Sequence, residues 1–339
     1  MRSFKTDVAI IGAGPVGLFA VFECGMMKMG CHVIDALSEV GGQCTALYPE
    51  KPIYDIPAHP EILAGDLIKN LEKQCAPFSP TYHLGQNVVA LHPTDDERWD
   101  ILTSNDVKIN AKAIIIAAGV GAFGPNRPPL ENIEDYENKS VFYFVKSREQ
   151  FRDKKIVISG GGDSAVDWAL SLSELAEKVY VVHRRPKFRA APESVSKLEA
   201  LAKKNKIVEM VIPYQLSGLK GENGHLEKVM VKTLKGEEKS LDADALLPFF
   251  GLSMNLGPIS EWGLSLDNSH IKVSPTTNET SAKGVFAIGD VATYENKQKL
   301  ILTGFAEAAA AAHKIRGMVY PDEVFHFEYS TTQGVPGSK

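Results

Sequence analysis

Two stretches far apart in the chain each place a short apolar run directly before a glycine-rich turn and a helical segment. This repeated order restricts the fold more than any other feature. The first copy is Asp7 to Ile11 (DVAII), then Gly12-Ala-Gly14-Pro-Val-Gly17, then a helical stretch over 18–29. A following strand, CHVID, ends in Asp35, at the remove of about twenty residues that sets an acid beside a ribose hydroxyl. Strand, tight turn and helix start in this order bring the backbone close to a pyrophosphate and aim the positive end of a helix at it. Gly12, Gly14, Gly17 and Asp35 therefore mark a dinucleotide site. A merely structural glycine turn does not account for the acid.

The second copy is KIVIS (155–159), the turn Gly160-Gly161-Gly162-Asp163-Ser164-Ala165, and a helical stretch over 166–175. Its next strand, KVYVV, runs out into His183-Arg184-Arg185, with Arg189 in the same basic loop. Where the first copy ends in a carboxylate, the second ends in guanidinium groups. These bind a 2′-phosphate through charge-assisted, often bidentate hydrogen bonds that a carboxylate would repel. Gly160, Gly162, Ala165, Arg184, Arg185 and Arg189 thus point to NADP(H) in preference to NAD(H).

A third landmark is TSAKGVFAIGD (280–290), a short strand ending in Gly-Asp, with a helical run over 303–315 rich in alanine. Small side chains let a helix start pack close to a flat ligand, and its positive end can stabilise negative charge there. A tightly packed core helix is equally compatible with the alanines. Strands alternating with helices in both copies imply α/β architecture with parallel sheets covered by helices. The order of motifs predicts two Rossmann-like three-layer domains, one inserted in the other. Residues 1–117 and 248–324 form the first, 118–247 the inserted NADP(H) domain, and 325–339 an extension in which Phe325, Phe327 and Tyr329 alternate.

The 339 residues suffice for two domains, and 44% hydrophobic with 23% charged residues is the balance of a soluble globular chain. No apolar run approaches the roughly 20 residues needed to span a bilayer. MRSFKTDVAI leaves no room for a signal peptide, and the four scattered cysteines lack the close spacing of a zinc site or secreted framework. A reducing cytoplasm is expected. A net charge of −5 gives no support to nucleic-acid binding.

Taken together, the motifs resemble the two-dinucleotide-binding flavoproteins, specifically the thioredoxin-reductase-like ferredoxin (flavodoxin)–NADP reductases. The likeness spans essentially the whole chain. It is carried by GAGPVGLF, GGQCTALYPEKPIYDIP, GVGAFGPN, YFVKS, GGGDSAVDWAL, HRRPKFRA, GVFAIGD and YSTT, of which GGQCTALYPEK and the C-terminal extension are the most specific. The resemblance implies FAD in the first domain, with Asp35 on the adenosine ribose and Gln43 on the flavin side. It puts Tyr48 against one ring face, Val88 beside the adenine, Phe123 in the pocket near the crossover, Asp290 on the ribityl chain and Thr331 reaching the ring from the tail. It also implies a homodimer in which Tyr329 covers the second ring face, and a ferredoxin or flavodoxin as electron partner. Docking such an acidic partner calls for a basic surface, for which Lys203, Lys204 and Lys206 are an obvious cluster; a solvated helix face is at least as good a reading of them.

The cysteines argue against a thiol relay. Disulfide reductases of this superfamily use Cys-x4-Cys after the flavin-domain glycine pair, or Cys-x-x-Cys ahead of the NADP(H) turn. Cys44 stands at the first such position, but the second is Pro49, and residues 141–151 (VFYFVKSREQF) contain no cysteine. A dithiol needs two sulfurs within bonding reach. Three functions remain to compare: a reductase passing hydride from NADPH to flavin and single electrons to a carrier, a low-molecular-weight disulfide reductase using Cys44 alone, and a flavin- and NADPH-binding sensor or assembly subunit. The flavin performs the chemistry in the first, so no acid–base residue and no metal is demanded.

Overall fold

The run VKINAKAIII explains the form of the first sheet. It begins by alternating buried Val107, Ile109 and Ala111 with half-exposed Lys108, Asn110 and Lys112, then becomes an unbroken buried apolar run. Alternation suits a strand with one wet face, and a continuous apolar run suits a parallel strand covered on both sides. The structure, a computed structural model, describes residues 2–323 and 334, without the side chains of residues 122, 123, 252 and 253. Contacts divide the chain into two compact units, with breaks after Phe123 and after Ser253.

The first unit opens with β1 (Arg2–Ile11), α1 (Pro15–Met26) and β2 (Cys31–Ile34). There follow α2 (Ala64–Cys75), β3 (Thr81–His83), the hairpin of β4 (Val88–Pro93) and β5 (Trp99–Thr103), and β6 (Val107–Ile116). β3, β2, β1 and β6 lie side by side in parallel. The first half of β6 pairs antiparallel with β5, Ile109 opposite Ile101, which is where its sequence alternates.

The second unit carries β7 (Lys155–Ser159), α3 (Asp163–Leu172), β8 (Lys178–Val182), α4 (Pro192–Lys204) and β9 (Val208–Val211). An antiparallel sheet of β10 (Gln215–Glu222), β11 (His225–Lys232) and β12 (Glu238–Asp242) follows, and then β13 (Ala245–Pro248). β9, β8, β7 and β13 form a parallel sheet in that order. The chain then returns to the first unit. There β14 (Val285–Ala287) pairs parallel with the apolar half of β6, Phe286 beside Ile115, and α5 (Ile301–Val319) packs against α1.

Both glycine-motif helices begin inside their motifs, at Pro15 and Asp163, rather than after them at 18 and 166 as the sequence suggests. Pro15 explains the first case: at the first helical position its missing N–H is lost anyway and its fixed φ suits the helix. The last residue of each motif is therefore a helix-packing position. The core of the first unit, with Phe286, Ile10, Leu18, Ile114 and Ile115 fully buried, holds the start of α1 in place; each such side chain stabilises by about 1.5–3 kcal/mol. No helix among the described residues is long and apolar enough to cross a membrane.

Candidate functional site

At the carboxyl ends of β1, β2 and β6 the first unit has a cleft of about 650 Å³, the usual ligand position of an open parallel sheet. Its floor is the glycine motif. Gly12 has φ +114°, and a Cβ there would lie 2.3 Å from the Ala117 carbonyl oxygen; at Gly17 it would lie 1.9 Å from that of Gly12. At Gly14 the same Cβ would meet nothing within 4 Å, because that position opens on the cleft. Two glycines therefore serve the tight packing of strand and helix, and the middle one leaves the backbone bare for an incoming group. This is the shape an extended pyrophosphate needs at the start of α1.

Asp35 lies just past the end of β2 on the same cleft. Its Oδ2 accepts from the Ala13 amide at 2.6 Å and its Oδ1 from Leu37 at 2.8 Å. Burial pushes its carboxyl above the usual range, and these two amides offset that rise only in part. Each oxygen keeps a lone pair for a hydroxyl donor. Val88, at the start of β4, is buried and lines the cleft beside Gln86 and Asn87, whereas Val89 is exposed.

A further wall is the segment 41–48, of which Gly42, Gln43, Cys44 and Tyr48 line the cleft. Gly41 turns at φ +111° and donates to the Ala13 carbonyl at 2.8 Å, and the single helical turn Gln43–Ala46 follows. The Gln43 amide nitrogen comes near Gly119, where a Cβ would sit 3.8 Å away. Tyr48 lines the cleft with Lys51 over its ring at 5.9 Å. Cys44 is 2% exposed. Burial pushes its thiol up to about 11, offset only in part by a hydrogen bond with Tyr48 and the charge of Lys51. Tyr48 is likewise raised, first by burial and then by Cys44. Asp290 lines the same cleft, and the charge of its carboxylate adds to both rises. A thiol in such surroundings is protonated at neutral pH and is no nucleophile.

In the second unit the glycine turn repeats the logic. A Cβ at Gly160 would lie 2.7 Å from the Phe249 carbonyl oxygen, and one at Gly161 would run into the His183 ring, while Gly162 faces open space. Ala165 is fully buried where α3 packs on the sheet. Arg184, Arg185 and Arg189 are exposed on the loop after β8. That loop is tied to the turn twice: the Arg189 amide donates to the Gly161 carbonyl at 2.7 Å, and the Ala191 amide donates to Asp163 Oδ1 at 2.8 Å. His183 packs at a tilt against Phe188 with centroids 4.9 Å apart and is held below the usual imidazole range, first by burial and further by the three arginines.

The structure thus gathers Gly12, Gly14, Asp35, Gln43, Tyr48, Val88 and Asp290 around one cleft, with Gly17 packed behind it. It places the glycine and arginine residues of the second motif around another turn. The Phe123 side chain, Tyr329 and Thr331 lie outside the described residues. Lys203, Lys204 and Lys206 are exposed, but Lys178 beside them pairs with Glu209, so that face mixes both signs. Sequence reasoning passed over Asp163, which pins the arginine loop, and Glu307, whose carboxylate accepts from the Gly289 amide at 2.7 Å behind Asp290. Asp163 had a signal, an acid at a helix start. Glu307 was hidden in the alanine run. Among the described residues no group of three or more His, Cys, Asp or Glu is placed to hold a metal ion.

Comparison with known proteins gives consistent results. The family described as pyridine nucleotide-disulphide oxidoreductase matches residues 6–314. A protein of Paramagnetospirillum magneticum named ferredoxin–NADP reductase is 62% identical over 336 residues, 99% of each chain. One of Rhodospirillum rubrum with the same name is 60% identical over 336 residues, 98% of this chain and 97% of that one. Among solved structures, Lactococcus lactis thioredoxin reductase superposes with a TM-score of 0.80 at 25% identity, covering 93% of this chain and 99% of the other.

Proposed function

The chain belongs to the pyridine nucleotide-disulphide oxidoreductase family, and from that premise we propose that it is a ferredoxin–NADP reductase, with FAD in the cleft of the first unit and NADP(H) at the glycine turn of the second. One observation carries this reading. A single chain holds two glycine turns of opposite polarity, one closed by the partly buried carboxylate of Asp35 and the other by exposed Arg184 and Arg185.

In the first unit the bare backbone at Gly14 and the start of α1 receive the pyrophosphate, and Asp35 accepts from the adenosine ribose. Val88 borders the adenine, and Gln43, Tyr48 and Asp290 bound the flavin end. When bound, FAD supplies a ring that accepts hydride from a nicotinamide and releases electrons singly. In the second unit Gly162 leaves room for the NADPH pyrophosphate. Arg184 and Arg185, with Arg189 beside them, hold the 2′-phosphate. No side chain has to move a proton for these roles. The finer parts of the proposal are a homodimer, with Phe123, Thr331 and Tyr329 completing the flavin surround, a cytoplasmic setting, and flavodoxin as an alternative carrier. Cys44 has no catalytic part: its thiol is buried and protonated, and Pro49 occupies the place of a second sulfur.

The test is NADPH-dependent reduction of cytochrome c by the FAD-loaded protein. Fast turnover that requires added ferredoxin supports the proposal. Turnover with a disulfide substrate and none with ferredoxin would overturn it.

A further inference from the structure

Behind the Gly289–Asp290 turn, α5 places one carboxylate in a stretch otherwise composed of alanine: Glu307, between Ala306 and Ala308. Its side chain is 5% exposed, as is that of Lys297, with which it pairs. One oxygen accepts from the Gly289 amide at 2.7 Å, and the other accepts from the Tyr294 hydroxyl at 2.7 Å and from Lys297 Nζ. All three donors belong to the segment 289–297, so one carboxylate staples that whole segment to the helix. Gly304, a turn earlier, lets the helix come close: a Cβ there would lie 3.4 Å from the Gly289 Cα and 2.4 Å from Val16. Gly289 and Asp290 themselves line the cleft.

A buried ion pair is a poor source of stability, since apolar residues of similar volume usually do as well or better. Its geometry is another matter, because a carboxylate with three donors has few other places to go. Its charge also counts: in a weakly polarisable interior, an uncompensated unit charge behind the turn acts on whatever lies across it.

We propose that Glu307, neutralised by Lys297, is a positioning residue for the flavin, holding the Gly289–Asp290 turn against the cofactor and keeping the protein behind that turn electrically neutral so that the reduction potential is set from elsewhere. This rests on the reading that FAD occupies the cleft. Removing the carboxylate leaves a buried cation, which favours the added negative charge of a reduced ring. Removing the ammonium leaves a buried anion, which disfavours it.

The experiment uses full-length protein stripped of flavin and reconstituted with FAD, as wild type, Glu307→Gln, Lys297→Met and the pair. FAD affinity, flavin midpoint potential and Tm are measured on each. The expected result is a potential raised in Glu307→Gln, lowered in Lys297→Met and restored in the pair, with FAD affinity about tenfold weaker in the two single variants. A purely structural pair would lower Tm in the single variants and leave potential and affinity at wild-type values, which overturns the inference. Should either single variant fail to fold, Tyr294→Phe, which removes one donor and no charge, decides: weakened FAD binding at unchanged Tm supports the proposal, and unchanged binding overturns it. Wild-type protein that takes up no FAD at all would instead remove the reading beneath it.

Discussion

Arg184 and Arg185 make the sharpest residue-scale statement, because they are exposed and tied to no carboxylate by a described ion pair, yet the loop carrying them is pinned to the glycine turn by Asp163 and Arg189. Replacing both by alanine is expected to raise KM for NADPH by about tenfold or more, the size of a lost charge-assisted contact. KM for NADH should stay within a factor of about two, since NADH has no 2′-phosphate to lose. Steady-state kinetics with the two nucleotides checks this, and an equal loss with both would mean that the loop merely supports the fold. The placement of these arginines, like that of Gly12, Gly14 and Asp35, beside a glycine turn was legible in the sequence. Their chemistry follows from neighbours within one strand–turn–helix unit. Glu307 was not legible, because its partners Gly289, Tyr294 and Lys297 are fixed by how a loop folds back on a helix, and nothing in a run of alanines announces that.

The elements flanking the cleft differ in how they are secured. α5 approaches α1 through Gly304, so Gly304→Ala puts a methyl group into Val16 and moves the helix away from the Gly289 turn. Overpacking of this kind costs about 1–3 kcal/mol, and the variant should show both a lower Tm and weaker FAD binding by calorimetry. A variant that loses stability but binds FAD normally would mean that the helix and the cleft are not coupled. At the edge of the sheet, β3 is joined to β2 through His83 and His32, whose ring nitrogens lie 2.9 Å apart beneath Phe4. Burial lowers both imidazoles, with His83 further lowering His32 and Arg2 further lowering His83. The folded chain therefore binds protons less readily here than the unfolded chain, whose imidazoles titrate near 6.5. This contribution to stability is complete above that pH and declines as pH falls through it. Thermal melts from pH 7.5 down to 5.5 should show Tm falling, and His83→Gln should flatten the fall; a parallel fall in the variant would assign it to other groups. Nothing local in the sequence links these two histidines, because strand pairing brings together positions 51 apart.

For the whole molecule, the motif order called for an inserted segment over 118–247, and the contacts divide after Phe123 and after Ser253. Residues just past β6 stay with the first unit because the Val120 carbonyl accepts from the Asn255 amide at 3.2 Å and Gly121 bridges to Asn255. Such a bond between distant strands leaves no local trace, so the strands and turns were readable while the exact crossing was not. The Cys44 question also resolves at this scale. The sequence has Pro49 where a partner for Cys44 would stand, and the fold buries Cys44 itself. The proposed function requires electrons to leave the flavin directly for a protein carrier. FAD-loaded Cys44→Ser mixed anaerobically with NADPH, and then with oxidised ferredoxin, in a stopped-flow spectrometer tests this most directly. Flavin reduction and ferredoxin reduction should both proceed within about twofold of the wild-type rates. A variant whose flavin is reduced normally but can no longer pass electrons to ferredoxin would make Cys44 an obligatory station between flavin and carrier and rule out direct transfer.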